Sequence, residues 1–254
     1  MEGRALDRST PRTPRLILQP RDVRLINALS ELRCVDREQA SRIAPFHSPS
    51  RAKTRLLALV RSGHLVHDFV GTINGGRKAV YFLAGSRKPR QQPLLASVET
   101  ERFIEHQLWL NEVYLSMSET ERATRVRWER PTAAIPGRGG IIPDAFVELT
   151  IDAKRLGAFI EVDLGTESMP VWQRKVEGYL RLARSGFVQE HYGFPSFRVL
   201  VAAKTEDRIW AIRALIARST DKVFWLADIK SIQRDGFWSP IWLRPTGGQK
   251  QPLP

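Results

Sequence analysis

The 254-residue chain has one cysteine, Cys34, which excludes a disulfide framework and a zinc site built from several cysteines. No apolar run approaches the roughly 20 residues that a membrane-spanning helix needs. Residues 1–15 are basic and contain prolines but lack the apolar core of a secretory signal. The chain also lacks a glycine-rich phosphate loop, a nucleotide-binding fingerprint and an internal repeat. We therefore expect a soluble, cytoplasmic protein without a membrane partner.

Acidic residues are scarce in the first third of the chain. Residues 1–94 hold 18 Lys and Arg against 7 Asp and Glu, whereas residues 95–254 hold 22 against 20, so most of the net charge of +13 lies at one end. Such a basic segment is typical of a nucleic-acid-binding module, and a basic solubilising segment is the alternative.

The length of the chain suits one large domain or two small domains, each with a hydrophobic core.

The pattern of residues 20–85 predicts three helices followed by a β-hairpin. A first helix is expected from Pro20, because Ile26, Leu29 and Leu32 have near-helical spacing. The capping-box pattern of Asp36 and Gln39 predicts the start of a second helix, and a third helix is expected at about 50–62. Two strand-like runs, 65–70 and 79–83, flank an Asn-Gly turn. This order is typical of a winged helix-turn-helix.

In a winged helix-turn-helix, the third helix enters the major groove of double-stranded DNA and the hairpin meets backbone phosphates. The predicted DNA contacts on these two elements are Arg51, Lys53, Thr54, Arg55, Arg77 and Lys78. A merely solvated basic face, or a protein-docking role for the module, is the alternative.

The remaining pattern divides the chain further. We expect a flexible basic arm at 1–19, the winged helix at 20–85, a linker at 86–96, a second domain at 97–245 and a flexible tail at 246–254. The protein is thus expected to be a two-domain α+β protein.

The second domain is expected to be an α/β sandwich built on a mixed sheet. The predicted elements are a helix at 98–117 capped by Ser97, strands at 125–129, 145–151 and 158–162, a helix at 171–184 capped by Ser168, a strand at 197–203, a helix at 207–218, and strands at 222–227 and 237–243. Residues 136–140 form a predicted mobile loop. Trp225, Trp238 and Trp242 are expected either in the core or at the interface of a homodimer.

Two side chains on the first of these helices are polar candidates. Glu105 is a possible additional site residue, because a helix packed under a sheet can bring one carboxylate to the sheet edge. His106 is expected to be a surface or hydrogen-bonded core histidine.

Three carboxylates lie at one end of the hairpin predicted over residues 145–162. Glu161 and Asp163 are two residues apart on one strand and so face the same side. Asp144 begins the partner strand, and the midpoint between Asp144 and Glu161, 152.5, falls near the predicted turn at 152–155. Carboxylates beside a backbone carbonyl suit Mg²⁺ or Mn²⁺, which can polarise a phosphodiester and activate water. A cap at Asp144, surface ion pairs at Glu161 and Asp163, and a cap at Thr166 are the purely structural alternative.

These residues resemble the PD-(D/E)xK nuclease superfamily, whose pattern is Pro-Asp, a hairpin, an acid-x-Lys and a helix. Pro143, Asp144 and Glu161 fit this pattern, but Asp163 stands where the lysine belongs. The resemblance implies a restriction-endonuclease-like fold with Asp144 and Glu161 as metal ligands. Lys175, on the following helix, is the natural substitute for the lysine.

The chain as a whole resembles the replication-relaxation family of plasmids and integrative elements. The residues that carry this resemblance are the basic three-helix start, the run 106–113, Pro143-Asp144, the Glu-Val-Asp-Leu-Gly-Thr-Glu-Ser run at 161–168, Lys175 and Tyr179. The resemblance implies that Glu161, Asp163, Thr166 and Lys175 belong together, and that other replication or mobilisation proteins are possible partners. It favours a metal-dependent endonuclease or nickase, with a non-catalytic DNA-binding regulator as the alternative.

Overall fold

The computed structural model describes residues 16–71, 75–85, 98–117, 120, 123–135 and 140–253. The chain divides into two compact units, Met1–Ala96 and Ser97–Pro254. Most of the predicted basic arm, the hairpin tip at 72–74, the predicted linker with Ser97, and most of the loop at 136–140 lie outside the described residues. Within the described ranges, no helix is both long and apolar enough to cross a membrane.

The described residues of the first unit form three helices and one three-stranded sheet. The elements are α1 (Pro20–Leu32), β1 (Cys34–Asp36), α2 (Arg37–Ile43), α3 (Pro49–Arg61), β2 (Leu65–Gly71) and β3 (Arg77–Leu83). The strand order is β1-β3-β2, and both pairings are antiparallel. The predicted helices and hairpin agree with this structure, whereas the short strand β1 was not predicted.

Side-chain caps explain where two of these helices begin. The Asp36 side chain accepts a hydrogen bond from the Gln39 N–H at the start of α2, as its capping-box pattern predicts. The Ser48 side chain caps α3 in the same way, and Pro49 occupies the first turn, where its missing N–H costs nothing. Apolar side chains of α1 and α3, among them Leu25 and Leu56, are fully buried.

The described residues of the second unit form a five-stranded mixed sheet with helices on both faces. The elements are α4 (Val98–Ser116), β4 (Ala123–Glu129), β5 (Ala145–Ile151), β6 (Lys154–Asp163), α5 (Met169–Leu182), α6 (Phe187–Tyr192), β7 (Phe197–Ala203), α7 (Glu206–Ala217), β8 (Phe224–Asp228) and α8 (Ile229–Asp235). The strand order is β4-β5-β6-β7-β8. β4, β5 and β6 pair antiparallel, and β6, β7 and β8 pair parallel, so the predicted mixed sheet is confirmed.

Alternation along the strands separates two cores. On β6, Ala158, Ile160 and Val162 belong to the core shared with α4 and α8. Phe159 belongs to the core shared with α5 and α7. Because residues two apart face the same side, Glu161 and Asp163 point toward α5 and α7. Trp225 and Trp242 are buried in the first core, and Trp238 packs against it.

The β5–β6 hairpin sets the register on which the site depends. Ile151 and Lys154 form the strand pair next to the turn, and Asp152 and Ala153 between them both have positive φ. The connection is therefore a two-residue turn. The last strand pair is Ala145–Ile160, and the Asp144 N–H donates to the Ile160 carbonyl. The next position places Asp144 across from Glu161, as the midpoint of 152.5 predicts.

Several local predictions for the second unit are wrong. Residues 237–243 do not form a strand but contribute to two isolated bridges, Leu226–Leu243 and Trp242–Gln251. The Trp242 Nε1–H donates a hydrogen bond to the Phe237 carbonyl oxygen, which bends this segment away from an extended strand. The helices α6 and α8 were not predicted. At α5, Ser168 occupies the N-cap position without a side-chain cap hydrogen bond.

Gly157 on β6 provides a test of core packing. A Cβ added there would lie 2.8 Å from two ring carbons of Phe194 and 3.2 Å from Phe146 Cζ. We therefore expect Gly157→Ala to lower the free energy of unfolding by about 1–3 kcal/mol, as overpacking does. Urea denaturation measures this change. Gly248→Ala is the control because no atom lies within 4 Å of a Cβ at that position, and equal stabilities of the two variants would contradict the expected clash.

Candidate active site

The predicted site residues Asp144, Glu161 and Lys175 meet at the end of the β5–β6 hairpin. The Glu161 side chain is only 1% exposed, and the Lys175 Nζ donates to its Oε2 over 2.8 Å. The Tyr179 hydroxyl donates to the other oxygen, Oε1. Lys175 and Tyr179 are four residues apart on α5, so the helix period directs both side chains at one carboxylate.

Burial dominates the electrostatics of Glu161. Loss of solvation, together with the negative charge of Asp144, raises the pKa of Glu161 from 4.5 to about 7, and Lys175 and Tyr179 only partly oppose this shift. Burial and the charge of Glu161 also raise the pKa of Tyr179, which keeps the phenol protonated as a donor. Glu161 is therefore a carboxyl group that can change its protonation state near neutral pH.

Lys175 lies between two carboxylates. Its Nζ is 2.8 Å from Glu161 Oε2 and 2.8 Å from Glu167 Oε1. Burial alone would lower the pKa of Lys175, but the two neighbouring carboxylates raise it, so the amine stays charged. The second oxygen of Glu167 is buried and has no hydrogen-bond partner among the described residues. Glu167 was not predicted as a site residue, although it lies in the 161–168 run.

Asp144 is held by backbone and by a histidine from the other face of the sheet. The Val162 N–H donates to Asp144 Oδ2 over 2.7 Å. His106 Nε2, from α4, lies 3.2 Å from the same oxygen and 3.1 Å from the Val162 carbonyl oxygen. Since both neighbours are acceptors, Nε2 carries a proton. Burial lowers the pKa of His106, but the hydrogen bond to Asp144 and its charge outweigh burial and raise it.

His106 therefore lies at the sheet edge, where the sequence pattern predicts the side chain of Glu105. The expectation of a surface or hydrogen-bonded core histidine did not include contact with Asp144. Glu105 points elsewhere, is 48% exposed and pairs with Lys204 over 2.9 Å. The two positions differ by about 100° around a helix, and sequence alone does not show which of them faces the sheet edge.

Asp163 faces the same side as Glu161 but has a different environment. Arg208 Nε and Nη2 donate to its two oxygens over 3.0 and 2.8 Å. The Trp172 indole and the Gly165 N–H donate to the same carboxylate. Burial would raise the pKa of Asp163, but these donors lower it. Asp163 thus connects β6 to α5 and α7 through these hydrogen bonds. Arg208 lies 45 positions away in the sequence and was not predicted as a partner of Asp163.

The remaining predicted residues are more exposed. Thr166 lies exposed between β6 and α5. In the first unit, Arg51, Lys53 and Thr54 are exposed on α3, and Arg77 is exposed at the start of β3.

Arg55 and Lys78, the other two predicted DNA contacts, already have protein partners. Arg55 pairs with the fully buried Asp22 and also donates to the Ile17 carbonyl oxygen. Lys78 pairs with Asp36 over 3.1 Å. These two cations support the fold of the first unit.

Asp144 and Glu161 carry carboxylate oxygens, the type of ligand that Mg²⁺ and Mn²⁺ prefer. Within the described part of the chain, no group of three or more His, Cys, Asp and Glu side chains is arranged as a metal site. Mg²⁺, however, commonly binds through one or two carboxylates, with water and substrate phosphates completing its coordination. The Val162 N–H and His106 Nε2 both contact the Oδ2 atom of Asp144. No described donor contacts its Oδ1 atom. Each oxygen of Glu161 has one protein donor and retains a second lone pair.

The raised pKa of Glu161 predicts a pH-dependent stability. A folded-state pKa of about 7 against 4.5 means that the folded protein binds this proton more tightly than the unfolded chain. Stability should therefore fall as the pH rises from 4.5 to about 7. The loss is on the order of 3 kcal/mol at most and should be absent in Glu161→Gln. Urea unfolding of both proteins from about pH 4.5 to about pH 8 measures the difference, and parallel profiles would contradict it.

Comparison with known proteins identifies the family. The family model described as replication-relaxation matches residues 26–196, which is more than half of the chain and includes parts of both units. No curated protein and no solved structure gives a significant match. The matched range contains Asp144, Glu161 and Lys175. The chain therefore belongs to the replication-relaxation family.

Proposed function

We propose that this protein binds DNA of a plasmid or other mobile element and cuts one strand as a divalent-metal-dependent endonuclease. Membership of the replication-relaxation family relates the chain to replication. In this proposal, the first unit is a winged helix that holds double-stranded DNA and the second is a PD-(D/E)xK nuclease-like domain. A homodimer and other replication or mobilisation proteins are possible partners.

The pairing of Lys175 with Glu161 is the observation that carries the catalytic proposal. A nuclease of this type needs a positive charge beside its two acids, and Asp163 occupies the expected lysine position. Lys175 supplies an ammonium group 2.8 Å from Glu161 from a different element, α5. The same end of the hairpin places Asp144 across from Glu161.

The protein groups have separate tasks in phosphodiester hydrolysis. Asp144 and Glu161 would hold the metal ion, which supplies charge to polarise the phosphate and to activate water. His106 and the Val162 N–H orient Asp144, and Tyr179 orients Glu161. Lys175 can remain bound to Glu167 while its ammonium group stabilises charge on the phosphate.

The first unit supports the DNA-binding part of the proposal. Three helices precede an antiparallel β2–β3 hairpin, and α3 exposes Arg51, Lys53 and Thr54, whereas its Leu56 and Leu59 are buried. Exposed cations on one helix are suited to DNA phosphates.

A non-catalytic DNA-binding regulator is the second candidate, and one observation favours it. Lys175 and Tyr179 each donate to one oxygen of Glu161, and four protein donors surround Asp163. Such a network can simply stabilise the fold. The second unit would then serve dimerisation or partner docking.

Plasmid nicking distinguishes the two candidates. We expect the full-length protein with Mn²⁺ to convert supercoiled plasmid to the open circle, and Asp144→Asn and Lys175→Met to lose about 100-fold or more in rate. Glu177→Gln is the matched control because Glu177 is half-exposed on α5, where it contacts Gln173 and Arg181. Agarose gel electrophoresis over time measures the rates.

Two outcomes would contradict the catalytic proposal. One is a wild-type protein that binds DNA but leaves plasmids of different sequence intact with either metal. The other is an Asp144→Asn variant that nicks at the wild-type rate.

The salt dependence of DNA binding tests the role of α3. Because each phosphate contact releases counterions, Arg51→Ala and Lys53→Ala should each reduce the slope of log K against log salt by about 1. Lys154→Ala serves as the control, since Lys154 is an exposed cation at the β5–β6 turn in the other unit. Fluorescence anisotropy with labelled duplex DNA measures the slope. Unchanged slopes in both α3 variants would remove α3 from the interface.

A further inference from the structure

A cavity in the second unit lies away from the Glu161 end of β6. Its volume is about 440 Å³, within the range of about 300–1,000 Å³ typical of small-molecule sites. It lies beside the end of α5 and the starts of β7 and β8. Phe197 pairs with Gly157 on β6, whereas Val201 pairs with Glu161. Phe197 and Val201 are four residues apart on β7, or about 13 Å along the strand. The cavity is therefore separate from the site around Glu161.

Three cations and no acid line this cavity. Arg198, Lys222 and Arg244 are among its lining residues, and none of the lining residues is Asp or Glu. Arg198 Nη1 donates to the Phe197 carbonyl oxygen over 3.1 Å, and Arg244 Nη2 donates to the Asp221 carbonyl oxygen over 2.8 Å. These partners are neutral, and no described carboxylate forms an ion pair with any of the three cations.

The two arginines are held close to each other at an electrostatic cost. Burial and the charge of Arg244 both lower the pKa of Arg198. Arg244 Nε is buried and has no hydrogen-bond partner among the described residues. The Arg244 guanidinium stacks over Trp225 at 5.0 Å, and Arg213 donates to the Arg244 carbonyl oxygen. Fixed arginines without a counter-charge form a preorganised site for an anion.

The rest of the cavity wall is suited to a planar, largely apolar group. Phe194, Leu182 and Val188 line it, together with the polar side chains of Gln189 and Ser196. An anion alone would gain nothing from the apolar wall, and an apolar ligand alone would leave the cations without a partner. The ligand should therefore combine a strongly anionic end with a planar body that carries a few hydrogen-bonding groups.

We propose that this cavity binds a nucleoside monophosphate group, with the phosphate on Arg198, Lys222 and Arg244 and the base against the apolar part of the cavity wall. Guanidinium groups form paired hydrogen bonds with phosphate oxygens, which suits two neighbouring arginines. The source is either a free nucleotide or the 5′-terminal nucleotide of a DNA strand. The site is independent of the proposed cleavage at Glu161.

Calorimetric titration of the full-length protein with deoxyadenosine monophosphate tests the proposal. We expect binding that weakens by about tenfold or more in Arg198→Gln and in Arg244→Gln, because each loses a hydrogen bond to a charged group. Arg218→Gln is the control, as it removes the same charge from an exposed residue outside the cavity. Glu161→Gln should bind the nucleotide like the wild type, which separates this test from the nuclease proposal.

Four further ligands test the two parts of the site and the source of the nucleotide. Deoxyadenosine, which lacks the phosphate, and inorganic phosphate, which lacks the base, should each bind at least about tenfold more weakly than the nucleotide. A 5′-phosphorylated oligonucleotide that competes better than its 5′-hydroxyl form identifies a strand end as the source. Failure of both oligonucleotides to compete identifies the free nucleotide.

The outcomes that would overturn the proposal are specific. They are no binding by the wild type at millimolar nucleotide, equal weakening by Arg218→Gln, or inorganic phosphate that binds as tightly as the nucleotide. Thermal unfolding without ligand checks that the variants are folded. Because Arg198→Gln and Arg244→Gln relieve repulsion between like charges, their melting temperatures should equal or exceed that of the wild type.

Discussion

The second unit depends on a carboxylate that is buried at the end of a strand. A buried, ionised carboxylate costs several kcal/mol unless it is paired and hydrogen-bonded. Glu161 meets this requirement through Lys175 and Tyr179, both from α5. The helix must therefore begin soon after β6 and lie across its end. The raised pKa of Glu161 indicates that the compensation is incomplete, and such incompletely compensated groups are common at functional sites.

The two acids on β6 show how position divides structural from chemical roles. Asp163 lies one strand repeat beyond Glu161, and its two oxygens accept from Arg208, Trp172 and the Gly165 backbone. Its pKa is lowered, so it remains charged and fixed. Glu161 has one cation, which it shares with Glu167. Of the two, Glu161 is the group whose charge can respond to a metal ion or a substrate.

Charge is distributed differently at the two ends of the parallel strands. At the Glu161 end, Lys175 pairs with Glu161 and Glu167, and Asp144 lies across from Glu161, an arrangement that favours cations. At the other end, Arg198, Lys222 and Arg244 share a cavity without an acid, an arrangement that favours anions. The seven-residue strand β7 separates the two regions, so each can be tested without disturbing the other.

Features that depend on the short periods of strands, helices and turns could be predicted from the order of residues along the chain. The two-residue strand period and the turn position predicted that Asp144 lies across from Glu161, and the helix period predicted that Lys175 reaches the sheet edge. Contacts between residues that are far apart along the chain could not be predicted in this way. His106 meets the Val162 carbonyl across 56 positions, and Arg208 meets Asp163 across 45, because helix packing brings them there. The strand predicted at 237–243 was wrong because Trp242 packs into the core and donates to the nearby Phe237 carbonyl oxygen, so tertiary packing overrides the local β preference.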